Sequence, residues 1–452
     1  MKSIVVRSYL PKFMLSGLIV CIPFAGLADE EQSWRPFHDG LPPPLNYTEF
    51  GVNDQWSVSV GGQLRVRWEQ WDNFGFDPAA DDDFVLVRLR LHGDLQYSDR
   101  FRVFVEGKSA GATERDLPGG RRTVDVDTLA LQNAFLEMKV HDRIVLRPGR
   151  QELLYGRQRL VSPLDWANAR RTFDGGKVMW TDNDWKVDAF WVRPVEVRKY
   201  RYNKTDTDTD FFGVYAVRSY PEYGLTMDVY VLGLDRDDVV FGEVTAREER
   251  YTLGVRLAGQ PAPGLLDFDV EGGYQFGDHG DDDIDALFFA SEIGASFVEW
   301  LAAPRVHVGF DYASGDGDPD DGKLRTFNQL YPLGHAYLGH IDMVGRQNVL
   351  AYRAGLTLNP FDTLRVHLTA HHFRRASTED ALYNAAGAVV RAGDEGTEAE
   401  IGTELDVRVL WSVTPKTSAL LGASRLWAGD FIKESGSDKD ISFLYVSLQQ
   451  EF

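Results

Sequence analysis

Cysteine is nearly absent from this chain. The single Cys21 among 452 residues lies in an N-terminal segment that we expect to be removed, so the mature protein would contain none. An exported chain without cysteine has no disulfide framework, and its stability must come from hydrogen bonding and packing. Long apolar runs are also absent. No stretch reaches the roughly eighteen apolar residues that a membrane-spanning helix needs, which excludes helical membrane spanning.

Motifs for catalysis and nucleotide binding are absent as well. The sequence contains no nucleotide-binding loop, zinc-ligand pattern or nucleophile elbow in a strand-turn-helix context, and no cofactor is expected. The formal net charge of −21 argues against nucleic acid as a partner, because phosphates would repel an acidic chain. The basic residues that are present are mostly arginine, 36 against 12 lysines.

The first 28 residues have the features of a secretory signal peptide. An apolar run over residues 13–24 precedes Ala28, after which we expect cleavage, and the flanking cations are Lys2, Arg7 and Lys12. The run is too short to cross a bilayer. Cys21 raises a lipoprotein as the alternative, but Val20 stands where a small residue would be expected.

Residues 29–55 are rich in proline and polar groups and are predicted to form an extended periplasmic leader. The leader is far too short to be a plug domain of the kind that fills the lumen of an energised transporter.

Residues 56–452 show period-two alternation, which indicates strands with one apolar and one polar face. Leu64, Val66 and Trp68, for example, share a face opposite Arg65 and Arg67. Eighteen such segments are predicted, at about 57–71, 84–97, 101–111, 129–140, 144–151, 172–181, 185–193, 210–220, 225–234, 250–259, 265–277, 285–300, 305–314, 347–358, 364–374, 401–413, 417–427 and 440–452.

The connectors between these segments alternate in length. The even-numbered ones are tight turns rich in Asp, Asn, Gly and Pro, and the odd-numbered ones are mostly long and polar. An even strand number with this alternation predicts an all-β fold, a transmembrane β-barrel with short periplasmic turns and long extracellular loops. Aromatic residues near both strand ends match the two interfacial girdles of such a barrel, whereas a soluble β-sandwich, the alternative, would scatter them through a core.

The polar strand faces predict a lumen of nearly balanced charge. The inward cations are predicted to be Arg65, Arg67, Arg88, Arg90, Arg102, Lys108, Arg256, Arg305, Arg353, Arg365, Arg408 and Arg425. A similar number of Asp and Glu residues alternates with them, so cross-strand pairing could neutralise this wall. A positive constriction would then need further arginines from the loops.

The connector after the fifth segment supplies such arginines. Within 25 residues it carries Arg147, Arg150, Arg157, Arg159, Arg170 and Arg171. Rings of arginine or lysine are the means by which anion pores select their cargo. We therefore predict a constriction that binds anions, formed by these six residues with the strand residues Arg65, Arg67, Arg88, Arg90, Arg353, Arg365 and Arg408.

Two segments resemble the signature regions of the bacterial alginate export family. They are GRQELLYGRQRLVSPLDWANARRTFDGGKV, from Gly149, and YASGDGDPDDGKLRTFNQLYPLGHAYLGHID, from Tyr312 to Asp342. The resemblance implies an outer-membrane barrel that passes a polyuronate out of the cell through an electropositive constriction. It also implies that the loop around 315–345 folds over or into the barrel mouth. The fuller form of the first segment is similar to a wider branch of the family, so the resemblance specifies the fold more closely than the substrate.

Two further clusters have other interpretations. Asp316, Asp318 and Asp320 are weak candidates for a calcium site, although Gly322 and Pro319 do not fit an EF-hand loop, and solvated loop tips are the alternative. His367, His371 and His372 lie on the fifteenth segment, and alternation predicts that the first two face the lumen. No motif supplies a catalytic partner for them.

The sequence therefore predicts a passive outer-membrane channel for an anionic polysaccharide, alginate or a similar polyuronate, and not an enzyme. Expected partners are membrane lipid, lipopolysaccharide, the polysaccharide and a periplasmic polysaccharide-synthesis complex, and a monomer is expected. An uptake porin for small anions or oligouronates is the first alternative. A membrane-anchored enzyme or adhesin is the second.

Overall fold

The computed structural model describes residues 48–50, 55–241, 244–262, 264–394 and 396–452, so the predicted signal peptide and most of the leader lie outside the described residues. Eighteen long strands follow one another: β1 Trp56–Asp72, β2 Asp82–Tyr97, β3 Phe101–Ala112, β4 Asp127–His141, β5 Ile144–Gln151, β6 Phe173–Asp182, β7 Trp185–Glu196, β8 Thr209–Tyr220, β9 Leu225–Phe241, β10 Val244–Ala262, β11 Leu266–His279, β12 Asp282–Ser296, β13 Arg305–Ala313, β14 Val349–Phe361, β15 Leu364–Arg374, β16 Glu400–Thr414, β17 Thr417–Ala428 and β18 Ile441–Glu451.

These strands form one closed antiparallel barrel. Each strand pairs with its neighbours in the chain, and β1 pairs with both β2 and β18. The closing register runs from Gln63 opposite Glu451 to Asp72 opposite Ser442. Closure leaves no edge with unpaired main-chain groups, which is the condition for strands to cross a bilayer. The predicted fold class is confirmed, and each of the eighteen predicted segments overlaps one strand.

Shorter elements decorate the barrel. Thr48–Phe50 of the predicted leader pairs with the start of β1. Lys204–Thr205 pairs with the end of β7, Lys323–Leu324 pairs with β12, and Leu382–Tyr383 forms a hairpin with Val389–Arg391. The described helices are α1, Asp430–Ser435, and three single 3-10 turns at Phe74–Phe76, Pro221–Tyr223 and Gly334–Ala336. No helix in the described ranges is long and apolar enough to cross a membrane.

Side-chain alternation follows the prediction along most strands. On β1, Arg65 and Arg67 are buried in the lumen, whereas Leu64 and Val66 are exposed on the outer face. The outer face carries an apolar band of Val, Leu, Ile and Phe residues. Exposed aromatic residues occur towards its edges and include Trp56, Phe101, Trp191, Tyr223, Trp300, Phe361 and Trp411.

Two details of the prediction were wrong. The ninth and tenth strands extend to Phe241 and from Val244, so the predicted loop between them is a tall hairpin. The residues of this hairpin are too polar to be predicted as membrane-spanning strands. The two strands nevertheless continue to pair with each other above the apolar band. Arg425 does not face the lumen. The flanking Ser424 and Leu426 are buried, and Arg425 points outward to Asp440 at 3.0 Å.

Glycines on some strands make room for tyrosine rings on the next strand. The ring of Tyr230 lies where a Cβ at Gly254 would be, and Tyr445 occupies the same position against Gly422. Both tyrosines are almost fully buried. These lumen rings therefore depend on the missing side chain, not on any unusual backbone angle.

We expect Gly254→Val to destabilise the barrel by about 1–3 kcal/mol, because the new side chain must displace the Tyr230 ring. Gly93→Val is the matched control, since nothing lies within 4 Å of a Cβ at Gly93. Urea unfolding of the detergent-solubilised protein measures both. Equal stability of the two variants would show that the ring does not use the space above Gly254.

Candidate functional site in the barrel lumen

The lumen wall is built from paired charges. Cross-strand pairs hold most inward guanidinium groups next to carboxylates, and these pairs are almost completely shielded from solvent. They include Arg90 with Glu106 at 3.0 Å, Arg102 with Asp94 at 2.9 Å, Arg256 with Asp228 at 3.0 Å and Arg353 with Glu292 at 2.9 Å. Breaking one such pair leaves a buried charge, so these residues stabilise the wall rather than bind cargo.

The first inner segment, residues 152–172, leaves the top of β5 and runs inside the barrel before β6 begins. Three wall arginines bind its main-chain carbonyls. Arg65 donates to the carbonyl of Asp165 at 2.8 Å, and Arg67 to that of Trp166 at 2.7 Å. Arg88 reaches the carbonyls of residues 165 and 167 and the Asp165 carboxylate. Irregular backbone inside a barrel needs such donors, because its carbonyls have no strand partner.

The second inner segment, residues 314–348, lies against the first. Their main chains pair where Tyr331 receives a hydrogen bond from Ser162 and donates one to the carbonyl of Leu160, both at 2.9 Å. Arg346 ties this segment to the wall through Asp311 at 2.6 Å. The resemblance implied that this loop folds over or into the mouth. The structure places most of it inside the barrel and leaves residues 317–323 exposed.

Apolar side chains fill the space between the inner segments and the wall. The buried cluster includes Leu153, Leu160, Phe327, Tyr337 and Ile341 from the segments, with Phe173, Phe211 and Phe288 from the strands. The upper lumen is therefore packed like a protein interior, which the sequence patterns had not predicted. The signal for it was present in the apolar residues of the two long connectors, such as Leu330, Leu333 and Leu338.

The six arginines predicted from the connector after β5 do not form one ring. Four of them are paired: Arg147 with Glu137, Arg150 with Asp174, Arg159 with Asp269 and Glu271, and Arg170 with Glu152 and Asp165. Arg171 donates to the carbonyl of Ser162 at 3.1 Å and lies over the Tyr331 ring. Arg157 is partly buried, and its Nε lies 3.8 Å from a carboxylate oxygen of Asp269.

The predicted strand arginines differ in the same way. Arg65 contacts carbonyls, whereas Arg67, Arg88, Arg90 and Arg353 have carboxylate partners. Arg365 donates to the side-chain oxygen of Asn359 at 3.1 Å and has no carboxylate partner in the described parts of the chain. Arg408 is buried on β16 and faces the lumen.

Two cavities open below the inner segments, towards the short periplasmic turns. The larger, of about 490 Å³, is lined by Arg65, Arg67, Asp362, Arg365 and Lys416 among others. The smaller, of about 260 Å³, is lined by Arg157, Arg256, Asp267, Glu292, Arg305 and Arg365 among others. Asn359 and Arg365 line both cavities. Arg365 therefore borders both cavities, with Arg65 on the larger and Arg157 on the smaller.

Histidines form a second cluster, at the inner segments. His335 stacks on Trp166 at 3.8 Å and on His340 at 4.7 Å, and its Nδ1 lies 3.1 Å from the Asp342 carboxylate. Burial lowers the pKa of His335 well below its ordinary value. This cluster was not predicted from the sequence, although His335 and His340 lie in the second segment that resembles the family.

Of the predicted strand histidines, His367 and His371 are buried in the lumen as alternation predicted. His371 lies 3.3 Å from Asp406, and the Ser424 hydroxyl donates to the same carboxylate at 2.5 Å. In a nucleophilic triad the serine contacts the histidine, and the histidine contacts the carboxylate. Here Ser424 and His371 both contact Asp406, so the triad arrangement is not present.

The weak calcium candidates Asp316, Asp318 and Asp320 do not converge on one point where a metal ion could bind. Asp316 accepts main-chain bonds from Asp318 and Arg325, and Asp318 accepts one from Asp320. Within the described ranges, no group of three or more His, Cys, Asp or Glu side chains is gathered as a metal site. A calcium site there stays a prediction.

The comparisons with known proteins identify the family. The family model for alginate export matches residues 56–443, which is most of the chain. The chain belongs to the alginate export family. A search of the curated proteins finds no match. The family and the barrel are those of outer-membrane channels and porins, not of enzymes.

Solved structures of Pseudomonas aeruginosa porins have a similar fold. OpdK has a TM-score of 0.60 at 13% identity, over 87% of this chain and 99% of OpdK. OpdQ gives the same score and identity over 87% and 98%, and OpdO gives 0.59 at 12% over 87% and 97%. At these identities the likeness concerns the fold alone. The alginate export family member described here therefore shares a barrel with these porins.

We expect Arg88→Ala to loosen the first inner segment. The substitution removes one of two guanidinium partners of the buried Asp165 carboxylate and one of two donors to each of the carbonyls of residues 165 and 167. We expect a loss of about 1–3 kcal/mol, the range for a hydrogen bond to a charged group. Limited proteolysis should then cut within residues 152–172. Arg425→Ala removes an exposed pair worth under about 1 kcal/mol and should leave the segment protected. Protection of the segment in both variants would argue against the tether.

The Glu152 carboxylate gives a pH dependence. Burial alone would raise the pKa of Glu152, but the neighbouring Arg170 guanidinium outweighs it, so the pKa lies well below its ordinary value. The unfolded chain therefore binds this proton first, and the stabilisation is present above about pH 4.5 and is lost as pH falls further. In thermal unfolding followed by tryptophan fluorescence, Glu152→Gln should lose less stability than the wild type between pH 5 and pH 3. The exposed Glu299→Gln should behave as the wild type, and identical pH slopes for all three proteins would contradict the role of Glu152.

Proposed function

We propose that this protein conducts an anionic polysaccharide, alginate or a similar polyuronate, from the periplasm outward. The observation that carries the proposal is the junction of the two cavities at Arg365. Arg365 lines both cavities and has no carboxylate partner in the described residues, and Arg157, on the smaller cavity, has its carboxylate partner Asp269 at 3.8 Å. Arg65 lines the larger cavity while it donates to carbonyls of the first inner segment. A chain of carboxylated sugars presents the groups that free guanidinium ions bind best.

The charge of the surrounding wall favours passage over tight binding. Asp362 and Glu451 line the larger cavity, and Asp267 and Glu292 line the smaller one. Carboxylates beside each arginine repel the cargo and keep every contact weak. Entry is favoured where the free cations meet, and weak contacts at several sites let the polymer move on.

The inner segments set the upper limit of the passage. Segments 152–172 and 314–348 occupy the lumen above the cavities, so a polymer must pass between them or displace them. Main-chain hydrogen bonds join the two segments to each other, and arginines join them to the wall. Together they form one constriction of the lumen. Transport would be driven by polymer synthesis or by the polymer gradient, and a synthesis complex would dock at the periplasmic turns.

The test is conductance in planar bilayers under a salt gradient. The wild type should be anion-selective, and polymannuronate or polyguluronate added on the periplasmic side should block the current. Arg157→Glu combined with Arg365→Glu should shift the reversal potential towards cation selectivity and weaken the block. Arg143→Glu is the matched control, because Arg143 lies in an exposed periplasmic turn and pairs with Asp182.

Cation selectivity of the wild type with no block by polymer would contradict the proposal and leave a general porin. Block by small anions and short oligouronates but not by polymer would favour uptake instead. Unchanged selectivity in the double variant would show that the cavity junction is not the filter.

A further inference from the structure

A positively charged loop lies on the outer rim of the barrel, away from the lumen. The basic rim loop, residues 197–204, joins β7 to the short strand at Lys204. Its cations are Arg198, Lys199, Arg201 and Lys204, and Tyr200 and Tyr202 are exposed at 61% and 73%. In a chain with a net charge of −21, this local concentration of positive charge needs an explanation.

The loop has a fixed position across the rim. The Lys199 carbonyl accepts bonds from the main chain and the hydroxyl of Thr128, both at 3.1 Å, and Asn203 donates to Asp127 at 2.9 Å. Thr128 and Asp127 belong to β4, so the loop crosses from β7 over the tops of β5 and β6. These two strands have only 8 and 10 residues, and the basic rim loop covers the wall above them.

The cations of the basic rim loop have no carboxylate partner among the described residues. Lys199 donates to the carbonyl of Arg121 at 2.7 Å, and Arg121 donates to that of Thr113 at 3.0 Å. No ion pair is found in the described residues for any cation of the loop or for Arg121. Elsewhere near this end of the barrel, Arg193 pairs with Asp210, Arg247 with Asp235, Arg325 with Asp321 and Arg425 with Asp440.

Exposed apolar and aromatic side chains lie beside and below the loop on the outer face. Thr128, which holds Lys199, is followed at once by Leu129, exposed at 56% on the outer face. On β7 below the loop, Trp191 is exposed and stacks on Phe212 at 4.9 Å. Exposed tryptophan and tyrosine mark the interface between the hydrocarbon and the headgroups. Side chains just above this level meet the phosphates of the outer leaflet.

We propose that the basic rim loop binds the phosphate groups of a phosphorylated glycolipid in the outer leaflet, such as lipid A. Arginine binds phosphate oxygens with its planar fork, and clustered cations at a membrane surface recognise anionic headgroups. Glu196, Asp206 and Asp208 flank the loop in sequence and confine the positive charge to a short stretch. That confinement suits a compact phosphate group better than a long polyanion.

The test titrates the purified full-length protein in neutral detergent with bisphosphorylated lipid A and with the same lipid after removal of its phosphates. The wild type should bind the phosphorylated lipid at least tenfold more tightly. Arg201→Glu combined with Lys204→Glu should remove that preference. Arg100→Glu combined with Lys186→Glu makes the same change of charge at the periplasmic turns and should keep it. Unchanged channel conductance of the rim variant shows that its barrel is folded.

Equal binding of both lipids to the wild type would overturn the proposal. So would equal loss of binding in the rim variant and the periplasmic control, since net charge alone would then explain the effect. A rim variant that keeps lipid binding but loses binding of polyuronate would assign the loop to the polymer instead. These outcomes are independent of the conductance test, because the loop lies outside the cavities.

Discussion

The closed ladder of main-chain hydrogen bonds is the constraint on which the other features of the molecule depend. A bilayer offers no partner for a free amide or carbonyl, so the strands must form a complete ring. Once β1 pairs with both β2 and β18, side-chain direction is fixed by period two. Within the membrane, most polar positions on the strands then face a confined lumen, where charges must be paired or solvated. The Arg–carboxylate pairs of the wall follow from this confinement.

The same confinement explains how irregular chain can lie inside the barrel. The inner segments carry carbonyls that no strand satisfies, and guanidinium groups from the wall supply the missing donors. Arg65, Arg67 and Arg88 each donate to carbonyls of residues 165–167. An arginine in this barrel can therefore serve as a pairing group, as a tether for backbone or as a free cation facing a cavity. The partner decides which role applies, and residue type alone does not.

The sequence predicted the barrel well because closure and alternation are local, repeated signals. All eighteen strands were found from alternation, and the main errors fell on the tall hairpin of β9 and β10 and on Arg425, where polar strand residues lie beyond the membrane. The site was predicted less well. Arg147, Arg150, Arg159 and Arg170 stand in the predicted cluster, but their carboxylate partners come from other strands or other parts of the connector. Pairing across the lumen has no short-range signal in the sequence.

The distribution of pairing also bears on where selectivity can arise. A close Arg–carboxylate pair has little effect on the electrostatic potential along the barrel axis, because the fields of its two opposite charges largely cancel. A cation without such a partner contributes its full field to the cavity that it lines. Arg365, which has no carboxylate partner in the described residues, and Arg157, whose partner Asp269 is 3.8 Å away, should therefore affect the cargo more than the closely paired arginines of the wall. The large excess of arginine over lysine serves mainly the pairs and tethers, since a planar fork can bind two acceptors at once. The barrel needs many arginines for the pairs and tethers of its wall. We expect selectivity to depend on the few arginines that face the cavities without a close carboxylate partner.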